Sequence, residues 1–192
     1  MNSTKKILIA NRGVIAIRAL RAAKELGYQV ASVYSTADKN LKHLKLSDEA
    51  ICIGPPDSKD SYLNEAAIIS AAELANVDGI YPGYGFLSEN AEFAEKCKNS
   101  GFKFIGPSHE IISLMGDKIQ AKNLMRQLGV PVVPGYEGPV ESKEQIENEV
   151  KKVGLPVIIK AAAGGGGRGM RIVRELSELW DAIEDARSEA NA

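Results

Sequence analysis

At 192 residues, the chain is long enough for one domain of ordinary size and part of a second. Its 24 basic and 25 acidic side chains nearly cancel, so its charge does not favour nucleic acid or an anionic membrane as a partner. The apolar run Ile7–Ala10 is too short for a signal-peptide core or a membrane span, and we expect a cytoplasmic protein. Cys52 and Cys97 form no CxxC pair, which excludes a disulfide scaffold and gives no support to a zinc site.

The first part of the chain alternates between strand and helix patterns. The predicted strands are Lys6–Ala10, Gln29–Tyr34, Ala50–Ile53, Gly79–Tyr81 and Lys103–Ile105. The predicted helices are one that follows Gly13 and ends at Gly27, then Asn64–Ala75 and Glu89–Asn99. On the first of these helices the predicted buried face consists of Ile15, Ala19, Ala22, Ala23 and Leu26. This alternation predicts an α/β fold with a Rossmann-like, doubly wound parallel sheet.

Three loops follow strands of this predicted sheet at their carboxyl ends. They are Asn11–Gly13, Ser35–Asp38 and Pro82–Gly85. Because doubly wound sheets bind ligands beyond the carboxyl ends of their strands, these loops are the first candidates for a binding site.

A second unit is predicted after a helical stretch, Ile111–Leu128, and a segment rich in proline and glycine, Gly129–Pro139. We therefore expect domains at 1–130 and 131–192. The second unit is predicted to contain a helix (Lys143–Val153), a strand (Pro156–Lys160), a glycine loop (Gly164–Gly169), a strand (Met170–Val173) and a helix (Leu176–Ala190). A sheet of two strands has little chance of burying its own apolar surface, so we expect this unit to be incomplete.

The segment from Lys160 to Met170 carries the strongest local signal. A lysine ends a strand and is followed by Gly164, Gly165, Gly166 and Gly167, then Arg168 and Gly169. Glycine backbones can bring consecutive N–H groups close to a polyphosphate, and a lysine adds positive charge. The pattern is neither a P-loop nor a GxGxxG fingerprint. A flexible hairpin connection is the alternative interpretation.

Two further segments could bind ligands. Lys118 lies near a helix end and is either a second phosphate ligand or a solvated surface residue. The loop Tyr81–Asn90 contains two tyrosines, two glycines and Phe86, and it is either a binding loop or a strand-to-helix turn capped by Ser88. His43 and His109 have no partner pattern, and we interpret both as ordinary polar residues.

Four motifs taken together closely resemble biotin carboxylase in their order and spacing. They are the run ending in Asn11–Gly13, the loop Tyr81–Asn90, Met115–Lys118, and Lys160 with Gly164–Met170. The resemblance implies the ATP-grasp fold, with a Rossmann-like N-terminal domain over residues 1–130. Residues 131–192 would then be the beginning of a truncated ATP-grasp lid.

The resemblance also implies roles for individual residues. The nucleotide-binding residues would be Lys118 and Lys160 at the phosphates, Gly164, Gly165, Gly166 and Gly167 over them, and Met170 against the adenine. Tyr84, Gly85 and Glu89 would lie beside biotin. Arg18, Arg21 and Glu25 match a homodimer interface, although a solvated helix face is the alternative.

In this family the activity is that of an ATP-dependent ligase, as in acetyl-CoA carboxylase of fatty acid biosynthesis or its pyruvate, propionyl or urea relatives. The implied cofactors are ATP and Mg²⁺ (or Mn²⁺), with biotin on a carrier protein as substrate. The implied partners are biotin carboxyl carrier protein, carboxyltransferase subunits and a second copy of the chain.

The family's metal ligands and catalytic residues lie beyond residue 192, so we expect no catalytic residue and no metal ligand here, and an isolated chain that is inactive and binds ATP weakly. Val14 replaces the acid that usually follows Asn-Arg-Gly, which puts any polar contact at that turn in doubt. Two other interpretations stay open: a different ATP-grasp ligase, of the carbamoyl-phosphate or purine-pathway kind, and a non-catalytic nucleotide-binding or dimerisation module.

Overall fold

The computed structural model describes residues 5–136, 138–160 and 170–190. It divides into two compact units, Met1–Ala121 and Lys122–Ala192, each of which is described by itself. The predicted boundary at residue 130 lies inside the second unit, and the domain limits stay a prediction. Across the described residues no helix combines the length and apolar character that crossing a membrane requires.

The first unit is built on a five-stranded parallel sheet. Its strands are β1 (Lys6–Ile9), β2 (Gln29–Ser35), β3 (Glu49–Gly54), β4 (Gly79–Tyr81) and β5 (Lys103–Phe104). They are ordered β3-β2-β1-β4-β5, and β1 is hydrogen-bonded to β2 on one side and to β4 on the other. The predicted doubly wound parallel sheet is therefore confirmed.

Helices connect and cover these strands. They are α1 (Gly13–Glu25), α2 (Lys42–Leu46), α3 (Glu65–Leu74), α4 (Ala91–Asn99) and α5 (His109–Gly116), and α6 (Lys118–Gln127) begins in the first unit and ends in the second. The side chains of Asn64 and Asn90 cap α3 and α4 by accepting hydrogen bonds from the third backbone N–H of each helix. These two caps set where both helices begin, so the alternative that Ser88 caps α4 is wrong.

The two faces of the sheet carry separate hydrophobic cores. Alternation along β1 sends Leu8 into one and Ile9 into the other, and both side chains are fully buried. The Ile9 core is closed by α1 through Ala16, Leu20 and Ala23. Since α1 covers one face and α3 and α4 supply residues to the core on the other, the sheet is the middle layer of a three-layer unit.

The second unit contains α7 (Lys143–Val153), α8 (Leu179–Ala190) and an antiparallel hairpin of β6 (Val157–Lys160) and β7 (Met170–Val173). Its core joins Ile146 and Val150 of α7 to Val173 of the hairpin and to α8, and Trp180 packs against this cluster. The helices therefore cover one face of the hairpin.

Beyond shifts of one or two residues at the ends of elements, three predictions about the elements are wrong. The single helical stretch Ile111–Leu128 is two helices, because the extended Asp117 interrupts it and accepts hydrogen bonds from the N–H groups of Ile119 and Gln120. The final helix begins at Leu179 after a short 3₁₀ turn. On α1, Leu26 is 75% exposed, whereas Ala16 and Leu20 are buried, so the buried face lies one residue away from the predicted one.

Candidate functional site

The order of the strands shows where the winding of the sheet reverses at its carboxyl edge. The chain runs outward from β1 through β2 to β3, then crosses back to β4 on the other side of β1. In open parallel sheets, ligands bind at the point where the direction of winding reverses. Here that point lies between the loop after β1, which carries Asn11 and Arg12, and the loop Pro82–Asn90 after β4.

The side chain of Asn11 joins these two loops. It is 1% exposed, and its Nδ2 donates hydrogen bonds to the carbonyl oxygens of Pro82 at 2.8 Å and Tyr84 at 3.1 Å. Its Oδ1 accepts a hydrogen bond of 2.9 Å from the backbone N–H of Arg12. Both loops at the reversal point are thus held by one buried amide.

The loop after β4 is anchored at several places and presents few side chains to solvent. Leu87 is buried in the core and Asn90 caps α4, while Tyr84 is 66% exposed and Glu89 is exposed. Phe86 adopts a φ of 41°, in the left-handed region that non-glycine residues rarely occupy. The predicted substrate-binding residues Tyr84, Gly85 and Glu89 therefore lie on the exposed part of a closely held loop.

Arg12 lies over a pair of stacked aromatic rings. The rings of Tyr62 and Phe86 stack with centroids 4.8 Å apart, and the guanidinium carbon of Arg12 lies 5.2 Å and 5.5 Å from the two centroids. Arg12 Nη1 also contacts Asp38 Oδ2 at 3.1 Å. We call these four residues the Arg12 cluster; it joins segments that follow β1, β2, β3 and β4.

The carboxylate of Asp38 is the polar centre of the Arg12 cluster. Burial would raise the pKa of this carboxyl, but hydrogen bonds from Tyr62, Ser35 and Arg12 outweigh burial and hold the pKa below its usual value. Burial and the bond to Asp38 raise the pKa of the Tyr62 phenol, which remains protonated and donates to the carboxylate. Asp38 is therefore a fixed negative charge that orients Arg12.

The hairpin of the second unit has one exposed face. Ile158 pairs with Ile172, and Lys160 pairs with Met170, on the face away from the helices. The three apolar side chains are 54%, 60% and 44% exposed for Ile158, Ile172 and Met170. An apolar strip beside a lysine, at the end of the hairpin where the two strands are connected, is suited to a flat, apolar group that carries negative charge.

Other predicted site residues are placed only in part. Gly164, Gly165, Gly166 and Gly167 lie outside the described residues, and so does the side chain of Lys118, the first residue of α6. Arg18, Arg21 and Glu25 are exposed on α1, and a shallow groove between α1 and α2 is lined by Arg21, Glu25, Leu20, Lys24, Lys42 and Leu46. Val14 is 74% exposed, and the first turn of α1 contains no acidic residue.

Sequence reasoning missed Tyr62, Ile158 and Ile172. Tyr62 lies outside every predicted element, and nothing in its local pattern indicates that it stacks on Phe86. The two isoleucines could have been found from strand alternation, because every second residue of β6 and β7 shares a face with Lys160 or Met170. Among the described residues no three His, Cys, Asp or Glu side chains come together as metal ligands.

Comparison with known proteins decides the family. Residues 3–112, more than half of the chain, match the family model described as "Biotin carboxylase, N-terminal domain". The chain belongs to the biotin carboxylase family. Residues 117–192 match a model described as "Carbamoyl-phosphate synthase L chain, ATP binding domain". The match over the first unit supports biotin carboxylase rather than another ligase with the same ATP-binding fold.

Biotin carboxylases of known sequence and structure match almost all of the chain. The chain is 56% identical over 189 residues to biotin carboxylase of Haemophilus influenzae, which covers 98% of this chain and 42% of the relative. It is 52% identical over 186 residues to biotin carboxylase 1 of Bacillus subtilis, covering 97% of this chain and 41% of the relative. The chain thus spans less than half the length of these biotin carboxylases.

Solved structures agree with this assignment. A biotin carboxylase from Campylobacter jejuni, in complex with β,γ-ATP, matches with a TM-score of 0.86 and 55% identity, over 97% of this chain and 42% of that one. The biotin carboxylase domain dimer of Hydrogenobacter thermophilus 2-oxoglutarate carboxylase was solved with MgADP and bicarbonate. It matches with a TM-score of 0.83 and 46% identity, over 97% of this chain and 41% of that one. The predicted α/β architecture, including the beginning of the ATP-grasp lid, is confirmed by these neighbours.

Proposed function

We propose that this chain forms the N-terminal domain and the beginning of the nucleotide lid of a biotin carboxylase, a ligase that uses ATP and bicarbonate to carboxylate biotin on a carrier protein. Membership of the biotin carboxylase family supports this proposal. The observation that carries it is the cross-strand pair of Lys160 and Met170 on an exposed hairpin face, next to a segment rich in glycine.

The hairpin face is proposed to bind ATP. Lys160 supplies positive charge at the phosphates, and Met170 with Ile158 and Ile172 supplies an apolar surface for the adenine ring. Gly164, Gly165, Gly166 and Gly167 are proposed to approach the phosphates through their backbone amides, and Lys118 to add a second cation. The Campylobacter jejuni relative was solved with a nucleotide, which supports this choice.

The proposed reaction begins when an oxygen of bicarbonate attacks the γ-phosphorus of ATP and ADP leaves, giving carboxyphosphate. Carboxyphosphate then releases CO₂ and phosphate, and the ureido nitrogen of biotin loses its proton to that phosphate and forms a bond to the carbon of CO₂. Lys160 lowers the barrier by neutralising charge on the transferred phosphoryl group. Mg²⁺ or Mn²⁺ would supply further charge neutralisation, and its ligands are proposed to lie in the part of the family's length that this chain does not span.

Biotin is proposed to lie against the loop after β4. Tyr84 offers an exposed aromatic ring, Gly85 offers a backbone without a side chain, and Glu89 offers an exposed carboxylate. The position of this loop at the winding reversal of the sheet supports the assignment.

We also propose a homodimer and two protein partners. A second copy would contact α1 at its exposed residues Arg18, Arg21 and Glu25. The two protein partners would be biotin carboxyl carrier protein, which carries the biotin, and carboxyltransferase subunits, which use the carboxylated biotin. The Hydrogenobacter thermophilus relative was solved as a dimer, which supports the homodimer. The cytoplasm is the proposed location.

The test joins this chain to the remaining segment of the Haemophilus influenzae biotin carboxylase, which it matches at 56% identity. ATP hydrolysis is then measured with and without bicarbonate and free biotin, beside the complete Haemophilus influenzae enzyme as control. We expect hydrolysis that requires both compounds. A fusion that folds and dimerises but hydrolyses no ATP would favour a non-catalytic module and would count against the proposed reaction.

A further inference from the structure

Asn11 is a polar side chain in an apolar place, so its hydrogen bonds decide whether its burial is tolerated. It is 1% exposed, and removing an amide from water without partners is costly. Its Nδ2 donates two hydrogen bonds, both to carbonyl groups of one loop, those of Pro82 and Tyr84. The donors of Asn11 are therefore directed to the loop after β4 rather than to its own strand.

The first half of that loop has little other support. Hydrogen bonds from Ser88 N–H to Gly85 O and from Asn90 N–H to Leu87 O close the second half, at 3.0 Å and 3.2 Å. Among the backbone hydrogen bonds of the described residues, none ends on the carbonyl oxygen of Pro82 or Tyr84. The conformation of the segment before Gly85 thus depends on the side chain of Asn11.

Packing at Gly83 brings the loop backbone directly against Asn11. A Cβ placed on Gly83 would lie 2.7 Å from Ile15 Cγ2 and 3.0 Å from Asn11 Nδ2, both closer than ordinary contact. The two hydrogen bonds flank this glycine, whose φ is +74°. Asn11 therefore holds the loop backbone both before and after Gly83, through the carbonyl groups of Pro82 and Tyr84.

We propose that Asn11 is a positioning residue, whose amide fixes the Pro82–Tyr84 backbone and so sets where Tyr84 and Gly85 meet the substrate. This inference rests on the proposed function, in which these two residues contact biotin. Asn11 itself is buried and acts through the loop. Its loss is expected to weaken the use of biotin while the use of ATP is unchanged, because Pro82 and Tyr84, to which it donates, are not among the proposed nucleotide ligands.

The first experiment measures the loop directly in the 192-residue chain. Asn11→Asp keeps the shape of the side chain but replaces its donor by an acceptor that faces two carbonyl oxygens. Amide hydrogen exchange in peptides covering residues 82–90 is expected to accelerate about tenfold or more, because release of Tyr84 also loosens Gly85, whose carbonyl oxygen accepts from Ser88 N–H. Exchange in α3 is expected to stay at the parent rate.

A matched control removes a buried polar group elsewhere on the same sheet. Ser32 is 0% exposed, and its hydroxyl is bonded to that of Ser47 at 2.6 Å, away from the loop. Ser32→Ala is expected to leave exchange in 82–90 unchanged. Parent-like exchange of the loop in Asn11→Asp, or equal acceleration in Ser32→Ala, would overturn the proposal.

A second variant guards against misfolding. Asn11→Ala removes the donors without adding charge, and it is expected to fold and to show the same acceleration over 82–90. If both variants fail to fold, Asn11 holds the sheet as a whole and the positioning role is wrong.

The kinetic experiment uses the fusion with the Haemophilus influenzae segment. Asn11→Ala is expected to raise KM for biotin about tenfold or more, with KM for ATP within about twofold of the parent. Equal effects on both constants would contradict positioning. An inactive parent fusion would count against the proposed function alone, since the exchange experiment does not depend on activity.

Discussion

The Tyr62 hydroxyl donates a 2.7 Å hydrogen bond to Asp38 Oδ2, and the same hydroxyl accepts one of 3.2 Å from the backbone N–H of Ser35. Tyr62 follows β3 and Asp38 follows β2, so this pair joins two neighbouring loops at the carboxyl edge of the sheet. The fixed carboxylate then holds Arg12 over the stacked rings of Tyr62 and Phe86. A buried hydroxyl thereby supports the loop that we propose for biotin.

Removing this hydroxyl should destabilise the first unit. Tyr62→Phe keeps the stacking with Phe86 but leaves Asp38 without one donor, and we expect a loss of about 1 to 3 kcal/mol in the free energy of unfolding. Urea unfolding followed by circular dichroism measures the change. Tyr34→Phe is the control, because it removes a tyrosine hydroxyl that the Asp38 interactions do not use; equal losses in both variants would contradict a special role for Tyr62.

The stabilisation by Asp38 should depend on pH. Its pKa is lowered in the folded protein, so its contribution is present above the unfolded value of about 3.9 and is lost as the pH falls through the folded value. Asp38→Asn should therefore lower the free energy of unfolding by about 1 to 3 kcal/mol at pH 7. The difference from the parent should shrink below about pH 4. A difference that stays constant down to pH 3 would show that the charge of Asp38 is not involved.

His43 should contribute a pH dependence in a higher range. Its side chain is fully buried, Nδ1 has no hydrogen-bond partner, and burial lowers its pKa against the opposing influence of the Val33 carbonyl and Asp38. The unfolded chain then binds a proton more readily, so stability should fall as the pH drops below about 6.5. His43→Leu should flatten this decline between pH 7 and 5 without loss of stability at pH 8. An unchanged decline in urea titrations would contradict this assignment.

Alanine substitutions at two glycines of the loop after β4 distinguish steric crowding from backbone strain as causes of destabilisation. Gly83 and Gly85 have φ values of +74° and +73°, but a Cβ meets Ile15 and Asn11 at Gly83 and nothing within 4 Å at Gly85. Both alanine variants should suffer the cost of a left-handed φ, about 1 to 2 kcal/mol. Gly83→Ala should lose at least about 1 kcal/mol more from overpacking. Equal melting temperatures for the two variants would show that the loop yields to the added methyl group.

Lys160 should matter for catalysis rather than for folding. In the fusion with the Haemophilus influenzae segment, Lys160→Ala should reduce kcat/KM for ATP about 10²- to 10³-fold, as expected for the loss of one preorganised charge, about 2 to 4 kcal/mol. Lys152→Ala, on an exposed face of α7, removes a lysine from the same unit and should leave the rate unchanged. If Lys160→Ala turns over like the parent, its proposed role at the phosphates is wrong.

Much of the fold could be predicted because local patterns and tertiary structure agree. Strand β4 and helix α7 have the predicted limits, since β4 is a short apolar run between turns and Ser142 caps α7 by accepting from Gln145 N–H. Five strands and α3 differ from prediction by one residue at one or both ends, and α4 begins two residues later than predicted. Such differences are expected because the last residues of helices and strands are the least firmly fixed. The doubly wound sheet followed directly from the alternation of these elements.

The remainder depends on contacts between residues far apart in the sequence. The buried face of α1 is misplaced because small residues such as Ala16 and Ala19 give little hydrophobic contrast, and only the packing against Ile9 and Val30 selects Ala16. Asp117 ends α5 by accepting hydrogen bonds from the backbone N–H groups of the helix that follows it. The spacing of apolar residues along the sequence gives no indication of this interaction.

The same limit applies to the candidate site. The loops after β1 and β4 could be located from the sheet alone, and Tyr84, Gly85 and Glu89 were proposed as ligands from the resemblance. The stacking of Tyr62 on Phe86 could not be predicted, because these residues lie on separate loops and meet only when the sheet has formed. The roles of Lys118 and of Gly164, Gly165, Gly166 and Gly167 stay predictions.

Trp180, the single tryptophan of the chain, packs in the core of the second unit. Its emission is therefore a built-in optical reporter of that core alone, whereas the aromatic pair of Tyr62 and Phe86 belongs to the first unit. Selective excitation of the indole ring would let the melting of one unit be observed without labels while circular dichroism records both. A substitution at Asn11, Asp38 or Gly83 that shifts one optical transition and leaves the other in place would reveal how independently the two parts of the chain unfold.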